Sequence, residues 1–150
     1  MRGRDGSWRP ASALAGATGC DLALVLSQRV LSLSVLIEEA ESDALGDLLR
    51  SAGTPLMTSR VGIVELRRIG RRSDAGADRA DALAATLVVV ELNETVERRA
   101  VDIDSGLRTL DAFHLATALV VADSLDGFVC YDARLSAAAG SLGLTVLAPA

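Results

Sequence analysis

Three acids stand at places where apolar runs begin or end: Glu65 inside Ile63-Val64-Glu65-Leu66, Asp111 in Thr109-Leu110-Asp111-Ala112, and Asp132 directly after Val129-Cys130-Tyr131. Carboxylates brought together in a partly dry crevice repel one another unless a cation compensates their charge. Mg2+ or Mn2+ suits such a set, because either accepts carboxylate and water oxygens. An ion so held can activate water, polarise a phosphate and stabilise charge on a departing oxygen. Phosphodiester hydrolysis is therefore the chemistry these residue types permit, with no nucleophilic side chain required. Plainer roles stay open for the same residues: Asp132 as a helix cap, Asp111 facing the positive end of a helix, Glu65 paired with Arg68 or facing solvent. His114 follows Asp111 by three residues and shares its helical side, where it can orient a carboxylate, contact substrate or simply pack beside Phe113 and Leu115. It is the single histidine of the chain, so no spaced histidine pair points to zinc. Cys20 and Cys130 lack any neighbouring cysteine pattern and read as packing residues.

The elements that must position these acids follow from local pattern. Pro55-Leu56-Met57-Thr58 predicts a short strand, and Ser59 is the predicted cap of a helix from Arg60 to about Arg72. Val61, Val64 and Arg68 share one row of that helix, Ile63, Leu66 and Arg67 another, with Glu65 in the middle. Gly70 to Gly76 predicts a turn, followed by an alanine-rich helix around Asp78 to Ala85. Leu87-Val88-Val89-Val90 predicts a buried strand, since consecutive valines favour extended packing. Thr95 is the predicted cap of a small helix containing Glu97, Arg98 and Arg99. Thr109 is the predicted cap of a longer helix, Leu110 to Ala122, whose apolar stripe is Ala112, Leu115, Ala116 and Leu119. Gly127-Phe128-Val129-Cys130-Tyr131 predicts a strand ending at Asp132, which caps Ala133 to Ala139, and Leu144-Thr145-Val146-Leu147 predicts a last strand. Earlier in the chain, Leu22 to Leu26 can be a buried strand and Leu31, Val35 and Glu38 can lie along a helix, with continuous hydrophobicity leaving strand and helix both open, and Ser42 to Arg50 reads as a short helix. Alternating signals of this kind predict a three-layer α/β domain with a mostly parallel central sheet. Ligands of such sheets bind beyond the carboxyl ends of the strands, which is where Asp132 is expected.

A chain of 150 residues, half of them apolar, with a formal net charge of -5, fits one domain with a real core. Residues 1–19, rich in glycine, arginine and small side chains, are expected to be a flexible or divergent arm, and residues 20–150 the folded domain. Arg2, Arg4 and Arg9 before Ala11-Ser12-Ala13-Leu14-Ala15 make a poor secretory signal, because the stretch between is mostly alanine and glycine. Leu22 to Ile37 is interrupted by Gln28 and Arg29 and is shorter than the ~20 residues that cross a bilayer. The expected setting is thus the cytoplasm, with no membrane. Fifteen basic residues, all arginine, face twenty acidic ones, so the chain lacks the basic field of a general nucleic-acid coat. A metal at clustered acids reverses that field locally and keeps a nucleic-acid substrate open. Arg60, Arg67, Arg68 and Arg108 are the candidates for phosphate contacts, with plain surface solvation as the alternative for each.

Three segments in order carry a family resemblance: Thr58-Ser59-Arg60-Val61-Gly62-Ile63-Val64-Glu65-Leu66-Arg67-Arg68, Gly106-Leu107-Arg108-Thr109-Leu110-Asp111-Ala112-Phe113-His114-Leu115-Ala116-Thr117-Ala118, and Val129-Cys130-Tyr131-Asp132-Ala133-Arg134-Leu135. Together they resemble the PIN-domain family, in particular the VapC-type toxins of bacterial toxin–antitoxin pairs, over about Glu38 to Pro149. The resemblance implies a PIN-like fold and a metal-dependent endoribonuclease that acts on structured RNA such as transfer RNA. It also implies a homodimer and a VapB-type antitoxin partner, whose basic segment can occupy the acidic crevice. By resemblance Glu65, Asp111 and Asp132 match three acidic active-site positions. The departure is at the start: a gapless count puts Gln28 where the family carries its first aspartate, with Val30 and Leu31 in place of the small polar residues that follow it. Asp21 is the candidate to replace that acid as a fourth metal ligand. Glutamine keeps an oxygen but loses the charge, which weakens attraction for a hard cation. A catalytically weakened protein that mainly binds its antitoxin is therefore the alternative to an active nuclease, and a structural or small-ligand α/β domain is a third reading.

Overall fold

The side chains along the short strands alternate between two separate cores, and this decides the layering. The computed structural model describes residues 23–26, 55–72, 74–103 and 106–148. Strands β1 (Ala23–Leu26), β2 (Leu56–Ser59), β3 (Val88–Val90), β4 (Leu125–Val129) and β5 (Val146–Leu147) form one sheet in the order β3-β2-β1-β4-β5. Every described pairing is parallel. Met57, Val88, Val90, Phe128 and Cys130 point into one core, while Leu56, Val89, Val129 and Tyr131 point into the other.

Helices cover both faces. The helix α1 (Arg60–Gly70) and its neighbour α2 (Asp74–Thr86) pack on each other, and Ile63, Leu66 and Ala80 close one core with Val129. On the opposite face lie α4 (Thr109–Val120), which packs on α3 (Glu94–Asp102), and α5 (Ala133–Ser141). Leu115, Ala118, Leu135, Ala138 and Ala139 close the second core with Phe128. The result is the three-layer α/β arrangement with a parallel sheet that the pattern predicts.

Local chemistry explains where the elements begin. Ser59 accepts a hydrogen bond from the Gly62 amide and starts α1, and Asp132 accepts one from the Leu135 amide and starts α5, both as expected. Two other caps differ. Asn93, not Thr95, caps α3, because its carboxamide reaches the Val96 amide two residues earlier in the chain than the threonine could serve. Thr109 is the first residue of α4 rather than its cap, and Arg108 stands at the cap position with no side-chain bond. The helix after Gly70 starts at Asp74 and runs to Thr86, longer than predicted, and β4 lies two residues earlier than Gly127–Tyr131. The competition between strand and helix at Leu22–Leu26 resolves as the strand β1, at the centre of the sheet. The short helix expected at Ser42–Arg50, and residues 1–19, lie outside the described residues.

Gly70 marks the tightest contact between α1 and α2. A Cβ built there would lie 2.6 Å from the Ala80 Cβ and 2.7 Å from the Gly76 carbonyl oxygen. Alanine normally gains about 1 kcal/mol over glycine inside a helix, whereas a forced overlap in a packed interior costs about 1–3 kcal/mol. The overlap with backbone wins. Gly70→Ala is expected to lower the urea midpoint with an unchanged slope, and an equal or higher midpoint would show that the two helices separate without cost.

Candidate active site

The strand order reverses direction at β1: the chain first builds outward to β2 and β3, then crosses back to lay β4 on the other side of β1. Loops leaving the carboxyl ends diverge at such a point and leave a crevice. Three of the segments that border this edge are described: Ser59 at the end of β2, the start of α4, and Asp132 beyond the end of β4.

Ser59 joins the first to the second. Its hydroxyl caps α1 through the Gly62 amide at 2.9 Å and lies 3.1 Å from Nδ1 of His114 on α4. The other ring nitrogen, Nε2, is 2.7 Å from Oε2 of Glu65 on α1. The carboxylate can only accept, so Nε2–H donates to Glu65, and the Ser59 hydroxyl holds the other end of the ring at Nδ1. The contacts form one chain that runs from Gly62 through Ser59 and His114 to Glu65. All of it is dry: His114 and Ser59 are each 1% exposed and Glu65 8%. Oε1 of Glu65 is also buried, and it has no hydrogen-bond partner among the described residues. A carboxylate oxygen left bare in the interior is costly, so it requires an explanation.

Asp111 stands one turn before His114 on α4 and is half-buried. Burial pushes its carboxyl above the ordinary aspartate range. The negative charge of Asp132 pushes in the same direction, His114 and Arg108 oppose, and Glu65 adds a smaller upward push. These influences put all three acids in one electrostatic neighbourhood. Asp132 spends Oδ1 on capping α5 and is otherwise exposed. Among the described residues no group of three His, Cys, Asp or Glu side chains is drawn close enough to hold an ion. In kind and charge the donors fit a hard divalent cation: an orphaned buried carboxylate oxygen, a second carboxylate that its surroundings disfavour as an anion, and a third at the rim.

The raised Asp111 titration has a consequence for metal-free protein. Below the unfolded-state pKa the group is protonated in both states and contributes nothing. As pH rises from there through the folded-state pKa, the folded state has to bear a charge its surroundings disfavour, so stability is lost, and the full penalty is present above the folded-state pKa. Asp111→Asn is therefore expected to raise the melting temperature of chelator-treated protein at neutral pH, with the difference vanishing at a pH below the ordinary aspartate range. A variant that melts lower at neutral pH would show that the carboxylate is stabilised in place.

Sequence reasoning located Glu65, Asp111 and Asp132 on the elements where they stand, and it assigned the Asp132 cap. The pairing of Glu65 with Arg68, or its exposure, is replaced by burial and a bond to His114. It missed Ser59 as a partner of His114, 55 residues away. The one available sign was a hydroxyl residue at a strand-to-helix junction, which the cap already explained. Two of the arginines proposed for phosphate are engaged in exposed ion pairs, Arg60 with Glu91 and Arg67 with Asp81. Arg108 lies close enough to bear on Asp111. Cys130 is a buried free thiol, consistent with packing. Asp21, Gln28 and Cys20 lie outside the described residues.

A sequence profile of the PIN domain matches residues 32–141, most of the chain. The chain belongs to the PIN-domain family. Its curated relatives narrow that membership. Ribonuclease VapC46 of Mycobacterium tuberculosis is 35% identical over 122 residues, covering 78% of this chain and 91% of the relative. Ribonuclease VapC35 of the same species is 39% identical over 117 residues, covering 74% and 86%. Among solved structures, a VapBC2 complex from Rickettsia felis, bound to a DNA fragment from its promoter, matches with a TM-score of 0.66 at 10% identity, over 84% of this chain and 98% of that one. VapC20 of M. tuberculosis, a toxin that cleaves the sarcin–ricin loop, matches with a TM-score of 0.64 at 17% identity, over 84% and 99%. At those identities the structures speak for the fold, and the fold of this PIN domain is theirs.

Proposed function

We propose that this PIN domain is an endoribonuclease toxin of the VapC type, which hydrolyses RNA phosphodiester bonds with a divalent ion and is restrained by a VapB-type antitoxin. The observation that carries the reading is the 35% identity to a VapC ribonuclease over most of the chain's length, and the influence of both Asp132 and Glu65 on Asp111 supports it. The antitoxin is proposed from the VapBC2 likeness and from the charge of the crevice, which suits a basic segment.

Glu65, Asp111 and Asp132 would hold the ion, and Mg2+ or Mn2+ is the choice that oxygen donors favour. When bound it supplies positive charge for the phosphate oxygens and a more acidic water. The protein's own groups do the rest. Glu65, clamped through His114, fixes one side of the site to α1 and Asp111 fixes the other to α4. Asp132 contributes from the rim while its second oxygen stays bound to the start of α5. Arg108 offsets part of the acidic charge and is the proposed contact for an incoming phosphate.

Structured RNA such as transfer RNA is the proposed substrate class, a homodimer the proposed assembly, and the cytoplasm the proposed location. Among the described residues no helix is long and apolar enough to cross a membrane. Residues 1–19 are proposed as an arm and 20–150 as the domain. Asp21 as a fourth ligand rests on resemblance alone and chain order opposes it, since it precedes Ala23, the first residue of β1, whereas the other acids stand toward the carboxyl ends of the parallel strands; unchanged Mn2+ affinity is expected of Asp21→Asn. One sequence fact favours the alternative of a weakened enzyme: after Leu26, the carboxyl end of β1, the next acid is Glu38. Incubating purified protein with a panel of RNAs including transfer RNA separates the two. Cleavage that needs Mg2+ or Mn2+ and stops with chelator supports the nuclease. Tight antitoxin binding with no cleavage at any metal concentration selects the weakened form.

A further inference from the structure

Among the described residues the buried Ser59–His114–Glu65 chain spans 55 and 49 residues of sequence, unlike the caps and the local helical bond of Thr117. It joins elements that belong to different layers. Ile63 and Leu66 place α1 in the core on one face of the sheet, whereas Leu115 and Ala118 place α4 in the core on the other. The two helices meet beyond the end of β2, and there the imidazole of His114 spans from the serine at the strand's end to the glutamate on the helix. Among the described residues every side-chain polar atom of this network has a partner except Oε1 of Glu65. A histidine retained only to satisfy itself would not require a charged partner with a bare second oxygen in a dry place.

We propose that His114, backed by Ser59, is a positioning residue that clamps Oε2 of Glu65 and thereby presents Oε1 as the single oxygen this side chain gives to the divalent ion. The proposal rests on the functional reading above and adds to it a residue outside the acidic set. The physical gain is preorganisation: a free carboxylate samples several rotamers and can bind through either oxygen, and the clamp removes that freedom before the ion arrives. The clamp further fixes the distance between Glu65 on α1 and Asp111 on α4, since Asp111 is one turn from His114 on the same helix.

The test is Mn2+ binding by the full chain, read by electron paramagnetic resonance, with thermal melting to confirm folding. His114→Leu removes the donor to Glu65 and is expected to weaken Mn2+ affinity about 10- to 100-fold, the range for groups that orient metal ligands. His114→Gln keeps a planar N–H donor toward Glu65 and an acceptor, and should recover most of the affinity. In a Glu65→Gln background, His114→Leu should add no more than about a further twofold, because its effect passes through Glu65. A role in packing alone would lower the melting temperature and leave Mn2+ affinity in the folded protein within threefold of the parent, and that result overturns the proposal. Equal losses with and without Glu65 overturn it as well. Should His114→Leu not fold, Ser59→Ala takes its place, with weakened affinity expected and unchanged affinity overturning. Absence of saturable Mn2+ binding by the unaltered chain would instead reject the metal-nuclease reading on which the proposal stands.

Discussion

Asp111→Asn is expected to reduce RNA cleavage at least about a hundredfold at saturating Mn2+, since an error of only ~1 Å in a site that works by geometry already costs that much. The substitution keeps the size of the side chain and one oxygen but removes the charge on which a hard cation depends. The same variant is expected to be more stable than its parent without metal at neutral pH, because burial and the Asp132 charge disfavour the aspartate anion. Opposite signs for activity and stability mark a group kept for function at a cost to the fold. Single-turnover cleavage assays paired with chelated melting curves check both. Loss of activity together with loss of stability would assign Asp111 to the scaffold instead.

Phe128→Ala is expected to cost about 3–5 kcal/mol, a large part of the roughly 5–15 kcal/mol that holds a domain of this kind together. Phe128 is 0% exposed and is the largest fully buried side chain among the described residues. It sits in β4, paired with Val25 on one side and Val146 on the other, and fills the core beneath α4 and α5. Truncation there leaves a cavity that two strands and two helices frame, and none of them can collapse into it without breaking sheet register. Asp132 hangs three residues beyond the end of the same strand, so the variant should also place that acid less well. Urea unfolding measures the first effect. A loss below about 1 kcal/mol would mean that this core is loosely packed.

Much of this fold is legible in the chain because local and global signals agree. Met57, Val88 to Val90 and Phe128 to Tyr131 are apolar in runs, as strands covered on both faces must be, and the structure sends their alternate residues into two cores. Ser59 and Asp132 announce their helices through hydroxyl and carboxylate caps, and both caps are present. Thr95 and Thr109 mislead for one reason: a threonine near a helix start resembles a cap, but the site goes to whichever residue leaves the helix with extended backbone, here Asn93 and Arg108. At Leu22–Leu26 continuous hydrophobicity hides the period, and pairing with β2 and β4 supplies the decision that no local signal contains.

The site is legible to a different depth. Glu65 in an apolar helix, Asp111 in a first turn and Asp132 at a strand's end each carry a local reason to be noticed. Whether they share a site is a matter of topology that no local pattern carries, since α1 and α4 cover opposite sides of the sheet and touch each other at its edge. The bond between Ser59 and His114 is invisible for the same reason: it spans 55 residues, and each partner has a sufficient local explanation without the other.

The central claim is that Glu65, Asp111 and Asp132 share one divalent ion at the carboxyl edge of the sheet. Anomalous diffraction from crystals of this chain grown with Mn2+ tests it most directly. The account predicts a peak bounded by those three carboxylates, with Oε1 as the oxygen from Glu65. A peak elsewhere, or none at a Mn2+ concentration that supports RNA cleavage, would contradict it.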